Sequence, residues 1–258
     1  MKSRRKNEIM KRLVREKTLK MEEMAAMFGV SVETIRRDVA DMERQGLVEK
    51  VYGGIQLREG AARSVSSLDS WSDRMVHCHD EKARIAARAL ELVEDGAVIA
   101  LDIGTTVYEL SLLLGVKRNL TIITNSLPIA AELARTTGHK ILCIGGQVTT
   151  NETVTGGGYA RRFLEDLAAV DAFFMGADGV SLQQGVTEYS EGIVDVKRQL
   201  AALARRCVLM ADHSKFGVEA PFKSCALERV DVLVTDEQAP AKVRETLHRR
   251  GVDVICAE

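Results

Sequence analysis

Gly29-Val-Ser-Val-Glu-Thr-Ile-Arg-Arg-Asp38 decides how the N-terminal part of this chain is read. Just upstream, Met21, Met24, Ala25 and Phe28 follow the i, i+3, i+4, i+7 spacing of an amphipathic helix, and Gly29 supplies its stop. Ser31 then stands where an N-cap belongs, its hydroxyl able to accept an orphan N–H of the next helix. That helix is expected over 32–45, with Val32, Ile35, Val39 and Met42 on one face and Gly46 at its end. Only Gly29, Val30 and Ser31 separate the two helices, the length of a helix-turn-helix connection. An earlier helical pattern lines up Ile9, Met10, Leu13 and Val14. Beyond the pair, Leu47-Val-Glu-Lys-Val-Tyr-Gly-Gly-Ile55 alternates like a short hairpin, a wing.

With the inner face of the second helix filled, Thr34, Arg37 and Asp41 point outward, flanked by Glu33 and Arg36. A hydroxyl and two guanidiniums on the first turns suit phosphate contacts and bidentate reading of guanine in the major groove. Ser31, Glu33, Thr34, Arg36 and Arg37, with Lys50 and Tyr52 on the wing, are therefore the expected DNA contacts. A small solvated bundle with an exposed Arg-Arg pair would leave the register of turn, cap, helix and wing unexplained. Charge agrees with a DNA partner: the chain carries −1 overall, but residues 1–60 carry +4 and the remainder −5.

The whole chain has 258 residues, 46% apolar and 28% charged, which is ordinary globular usage and excludes disordered and collagen-like classes. No apolar run is long enough to span a membrane, and no apolar signal segment follows the basic start. A cytoplasmic protein without a membrane partner is expected. Five cysteines, odd in number and without a C-x-x-C pair, fit reduced thiols, with Cys143, Cys207 and Cys256 inside apolar runs and so in the core. His77-Cys78-His79 does not converge on one ion in a regular helix or strand, and no fourth ligand is near in sequence. Neither a metal nor a cofactor is expected. Residues 1–57 form the expected head, 58–80 a linker without sustained periodicity on which Trp71 and Met75 could dock against the body, and 81–258 the body.

In the body, short apolar strands alternate with helices. The strands are Ala97–Leu101, Leu120–Thr124, Lys140–Ile144, Ala172–Met175, Cys207–Met210, Val232–Val234 and Val252–Ile255. That alternation means βαβ units and a mostly parallel α/β sheet covered on both faces. Such sheets bind ligands beyond the carboxyl ends of their strands, and polar residues collect there. Asp102, Gly104, Thr105 and Thr106 follow the first strand; Thr124, Asn125 and Ser126 end the second; Gly145 and Gly146 end the third; Gly176 and Asp178 follow the fourth. Asp212-His-Ser-Lys215 ends a later strand, and Lys197 sits in a helix with Glu191 near its start. Hydroxyls, amides, two lysines and Asp102 for sugar hydroxyls make a phosphosugar cradle.

Ser31-Val-Glu-Thr-Ile-Arg-Arg-Asp38, Gly46-Leu47 and Tyr52-Gly-Gly54 resemble the N-terminal signature of the DeoR family of bacterial repressors, with Ile55 where the family usually has a small residue. The body resembles that family's C-terminal sensor domain at Asp102-x-Gly-Thr-Thr106, Thr124-Asn-Ser126, Gly145-Gly146, Gly185-Val-Thr187, Glu191, Lys197 and Asp212-x-Ser-Lys215. The resemblance implies a winged helix-turn-helix head on a body similar in fold to ribose-5-phosphate isomerase and the CoA transferases. It adds Thr187 to the ligand set. It also implies a homo-oligomeric repressor, dimer or tetramer, whose affinity for duplex operator DNA responds to a phosphorylated sugar. The alternative is a phosphosugar isomerase or deaminase with an added head, using Asp178, Glu191 and Lys197 to move a proton. No histidine or carboxylate pair at a telling spacing supports it and the head would be idle, so no enzyme is expected. An RNA-binding adaptor would want stacking aromatics that the head lacks.

Overall fold

Buried apolar side chains at helical spacing hold the head together: Met24 and Ala25 from one helix and Ile35, Val39 and Met42 from the next share a core with Ile9, Leu13, Leu19, Val48 and Ile55. The computed structural model describes residues 18–44, 48–51, 54–57, 71–149 and 153–258, together with Arg5, Ile9, Arg12, Leu13 and Glu16. Two compact units divide the chain, Met1–Asp69 and Ser70–Glu258.

In the first unit, β1 (Thr18–Lys20) leads into α1 (Met21–Phe28) and α2 (Val32–Arg44), followed by β2 (Val48–Val51) and β3 (Gly54–Leu57). Helix α1 closes at Gly29, where the Val30 amide reaches back to the Ala25 carbonyl at 3.1 Å. Ser31 caps α2 as its sequence position suggested, its Oγ accepting from the Thr34 amide at 3.2 Å. The wing forms as β2 paired antiparallel with β3, and β1, which no sequence pattern announced, pairs with β3 on its other edge. A Cβ on Gly54 would lie 2.2 Å from the Leu19 carbonyl oxygen, so this close approach requires glycine. Tyr52, residues 45–47, and Met10 and Val14 of the first helical pattern lie outside the described residues.

The second unit is built on a seven-stranded, wholly parallel sheet. Its strands are β4 (Val98–Leu101), β5 (Thr121–Thr124), β6 (Lys140–Cys143), β9 (Val170–Met175), β12 (Ala204–Met210), β14 (Val232–Asp236) and β15 (Asp253–Ala257). Their order is β15-β14-β12-β9-β4-β5-β6. Successive side chains of a strand point to opposite faces, and β9 shows it: Phe173 and Met175 enter one apolar cluster, Phe174 the other. Both faces are therefore covered, by helices that include α3 (Trp71–Val76), α4 (His79–Leu90), α5 (Thr105–Leu113), α6 (Leu127–Thr136), α7 (Gly158–Glu165), α8 (Glu191–Leu203) and α9 (Ala241–Arg249). From β4 the chain runs outward to β5 and β6, then returns to lay β9 on the other side of β4. The sheet thus has a topological switch point between β4 and β9, where α/β sheets open a crevice at the carboxyl ends.

Two small sheets were not legible as strands. A hairpin joins β7 (Gln147–Thr149) and β8 (Val154–Gly156), and an antiparallel sheet joins β10 (Gly179–Ser181), β11 (Gly185–Glu188) and β13 (Phe222–Cys225). Their strands are three or four residues long, too short for periodicity to register. The expectation of a linker running to residue 80 also needs correction, since α3 and the start of α4 occupy residues 71–80. Tertiary contacts make this helix: Trp71 stands edge-on to Tyr108 with ring centroids 5.7 Å apart. The buried Lys82 Nζ donates to the carbonyls of Arg74 and His77, closing the C-terminal end of α3. All five cysteines are free; Cys207 and Cys225 are buried, but Cys143 is exposed because β6 is an edge strand, and Cys256 is half-buried. Among the described residues no helix is long and apolar enough to cross a membrane.

Candidate functional site

Helix α2 presents the candidate DNA face. Ile35, Asp38, Val39 and Met42 are buried, which turns Glu33, Arg36 and Arg37 outward. Arg36 and Arg37 are two-thirds and more exposed and make only loose contacts with Glu33, at 3.7 and 3.9 Å. Such exposed pairs are weak and leave both guanidiniums available. Ser31 and Thr34, whose hydroxyls lie 2.9 Å apart, mark the N-terminal end of the helix. Asp38 serves the fold instead. It is buried and takes the Arg5 guanidinium through Nε at 2.7 Å and Nη2 at 2.6 Å, fixing the first segment to α2. Lys50 on β2 is exposed but paired with Glu43 at 2.6 Å.

In the second unit a crevice opens at the switch point, lined by Arg74, Ile103, Gly104, Thr105, Thr106, Gly176, Ala177, Asp178, Glu188, Ile193, Lys197 and Lys215. Gly104 is the N-cap of α5 with φ 113°, a left-handed conformation that lets the backbone turn from β4 straight into the helix. Thr105 and Thr106 form the first turn, where helix-start N–H groups attract anions. Lys215 ends a short 3-10 turn after β12, held by Asp212, whose Oδ1 accepts from the Ser214 amide at 3.0 Å and from the Ser214 hydroxyl. Burial would disfavour the Asp212 carboxylate, but the Lys215 charge and the Ser214 bonds outweigh it and hold its pKa below the usual value. Arg74 comes from α3.

Beneath the crevice lies a buried ionic cluster. The Lys197 ammonium donates to Asp102 Oδ2 at 2.8 Å, to the Gly176 carbonyl at 2.9 Å and to Glu188 Oε1. Ser224 Oγ adds a 3.0 Å bond to the same Glu188 oxygen, and the Gly176 amide a 3.2 Å bond to Asp102. Burial pushes the Glu188 carboxyl up to about 8, against the pull of Lys197, with Asp178 and Asp102 adding to the rise. For Lys197, burial opposes the charge but Asp102 and Glu188 outweigh it, so its pKa is raised. One ammonium faces two carboxylates here, and burial favours the protonated form of Glu188.

Of the sequence-derived ligand residues, the structure brings Gly104, Thr105, Thr106, Gly176, Asp178, Lys197 and Lys215 to one crevice. Lys197 and Asp102 face each other rather than outward: three acceptors use the three N–H bonds of Lys197, and Asp102 is 2% exposed. The remaining positions do not line the crevice. Thr124 and Ser126 bond within their own turn, and Ser126 Oγ caps α6 through the Ile129 amide. Asn125 Nδ2 donates to the Thr155 carbonyl, tying β5 to the β7–β8 hairpin. Gly146 packs against Gly156 of that hairpin so closely that a Cβ would sit 2.3 Å from its carbonyl oxygen; Gly145 precedes it. Thr187 Oγ1 donates to the Gly179 carbonyl and accepts from the Ala220 amide, and Glu191 is exposed at the start of α8. Arg74 and Glu188 escaped the sequence reading, being on a helix with no period and on a short satellite strand.

Residues 77–237 match the family model of the DeoR C terminal sensor domain, and residues 5–60 match that of the DeoR-like helix-turn-helix domain. The chain is similar to the HTH-type transcriptional regulator GolR of Listeria innocua, at 30% identity over 98% of each chain. It is similar to the same degree, 30% over 95% of each chain, to the glycerol-3-phosphate regulon repressor of Escherichia coli K12. Among solved structures it is similar to ribose 5-phosphate isomerase A from Neisseria gonorrhoeae, with 23% identity, 53% of each chain covered and a TM-score of 0.38. The family models and the full-length relatives are regulators rather than enzymes. The chain belongs to the DeoR family of transcriptional regulators, with a DNA-binding helix-turn-helix head followed by a sensor domain.

Proposed function

We propose that this regulator represses a sugar-metabolism operon and that a phosphorylated sugar in the β4–β9 crevice sets its affinity for operator DNA. The observation that carries the reading is the convergence of the Gly104–Thr106 helix start with Lys215 and Arg74 at the switch point. Helix-start N–H groups and the Thr105 and Thr106 hydroxyls would donate to the phosphate, and Lys215 and Arg74 would supply charge. Asp178, half-exposed in the same crevice, would accept from sugar hydroxyls. Asp102, expected from the sequence to do so, acts instead by holding Lys197 and the Gly176 amide in place. The relative named for the glycerol-3-phosphate regulon is consistent with a phosphate ester as the signal.

On the DNA side, Arg36 and Arg37 would read bases from α2, with Ser31, Glu33 and Thr34 around them and the wing residues Lys50 and Tyr52 on the backbone. One head buries too little surface for tight specific binding, so the repressor would work as a homo-oligomer, a dimer or tetramer, on a repeated or palindromic operator. The test is a thermal-shift screen of the full chain against phosphorylated sugars and their unphosphorylated counterparts, followed by operator binding with each hit. A ligand at a hundred times its dissociation constant adds about 2.7 kcal/mol of stability. A hit should change operator affinity, and its dephosphorylated form should not. Equal responses to both forms would remove the phosphate from the proposal.

A further inference from the structure

Cys78 is far in sequence from the adjacent pair Asp212 and His213, yet one donor atom from each of the three lies within 4.8 Å of the other two. We propose that these three residues bind a divalent transition-metal ion, Zn²⁺ by the character of the donors. The sequence motif His77-Cys78-His79 could not converge on one ion by itself; the fold takes only its cysteine and supplies the rest from the end of β12. Thiolate, imidazole and carboxylate are the ordinary ligands of zinc, and three protein ligands leave a fourth position for water. Tetrahedral bonds of about 2.0–2.3 Å put donor atoms roughly 3.5 Å apart, so small side-chain rotations close the set.

Two independent features point at an ion. Asp212 is fully buried, and while its Oδ1 serves Ser214, its Oδ2 has no hydrogen-bond partner among the described residues. The neighbouring Lys82 directs its Nζ to the carbonyls of Arg74 and His77, so that it and Lys215 act on Asp212 through their charge without a hydrogen bond to Oδ2 among the described residues. A buried carboxylate oxygen without a partner is costly, and a cation is what satisfies it. His213 is already oriented: its Nδ1 lies 3.1 Å from Asp236 Oδ1, and its backbone amide donates to Asp236 Oδ2 at 2.7 Å. With the Nδ1 proton directed to that carboxylate, the lone pair is on Nε2, the carboxylate–histidine–metal arrangement. On binding, the Cys78 thiol releases its proton to solvent, and thiolate plus carboxylate neutralise the dication. The ion would join the turn that carries Lys215 to the start of α4.

The full chain, stripped of metal, is titrated with Co²⁺ and then Zn²⁺. One equivalent of Co²⁺ should produce a thiolate-to-cobalt charge-transfer band that Zn²⁺ abolishes. Cys78→Ser, nearly isosteric at a half-buried helix start, should lose the band, while Cys143→Ser and Cys256→Ser keep it. His213→Gln, with the thiolate intact, should weaken Zn²⁺ binding by roughly tenfold or more. Absence of the band in the wild type, its persistence in Cys78→Ser, or unchanged Zn²⁺ affinity in His213→Gln would overturn the proposal.

Discussion

Two rims of the same sheet carry similar residues in different surroundings. At the ends of β4 and β9, Gly104, Thr105, Thr106, Gly176 and Asp178 surround an open crevice. At the ends of β5 and β6, Thr124 and Ser126 spend their hydroxyls on their own turn and the α6 cap, Asn125 bonds to the β7–β8 hairpin, and Gly146 packs against it. The composition of the two rims would not separate them. What separates them is topology: the chain reverses between β4 and β9, so the connections leave in opposite directions and the space between them stays open. A helix cap and the lining of a crevice use the same side chains, and only their place in the sheet separates the two.

The contrast between the rims is most exposed at Lys197. Replacing it by Met should leave Asp102 and Glu188 buried without their ammonium and destabilise the fold by about 3–5 kcal/mol in denaturant unfolding. A loss under about 1 kcal/mol would mean that the cluster is solvated and Lys197 free for ligand. The same cluster makes a pH prediction. Because the Glu188 pKa is raised from 4.5 to about 8 in the fold, the native state holds a proton that the unfolded state releases. Its contribution is complete below about pH 4.5 and is lost as pH rises towards and through 8. The wild-type denaturation midpoint should therefore fall across that window, and Glu188→Gln should flatten the slope. An equal slope in both proteins would assign the proton elsewhere.

Lys215→Ala should act on binding more than on folding, because its ammonium lines the crevice and stands outside the buried cluster of Lys197, Asp102 and Glu188, its part in the fold being the charge it offers the Asp212 carboxylate. Affinity for the phosphorylated ligand should drop by about 1.5–3 kcal/mol by calorimetry. Operator binding without ligand should persist. On the other rim, Ser126→Ala removes the α6 cap and should cost about 1 kcal/mol of stability. Ligand affinity in that variant should match the wild type; a calorimetric loss comparable to that of Lys215→Ala would place the β5 end in the site.

How much of this could be read beforehand follows the range of the interactions. The head was legible because its determinants are local: Gly29, the Ser31 cap and the Ile35–Val39–Met42 stripe all act within a few residues. The parallel sheet was legible from apolar runs of three to five residues. The site was half legible. Gly104, Thr105, Thr106 and Lys215 announce themselves by following strands, but Arg74 sits on a six-residue helix that exists through Trp71 and Lys82, which no periodicity reveals. Lys197 was visible as a lysine in a helix, and its role was not, because Asp102 and Glu188 reach it from distant segments.

The most direct test is the position of the phosphorus atom in a crystal of the full chain with the phosphorylated ligand that the screen identifies. Phosphate oxygens are expected at about 2.7–3.2 Å from the backbone amides of Thr105 or Thr106 and from Lys215 Nζ. A phosphate seated instead against Thr124–Ser126 and Gly145-Gly146 would contradict that placement.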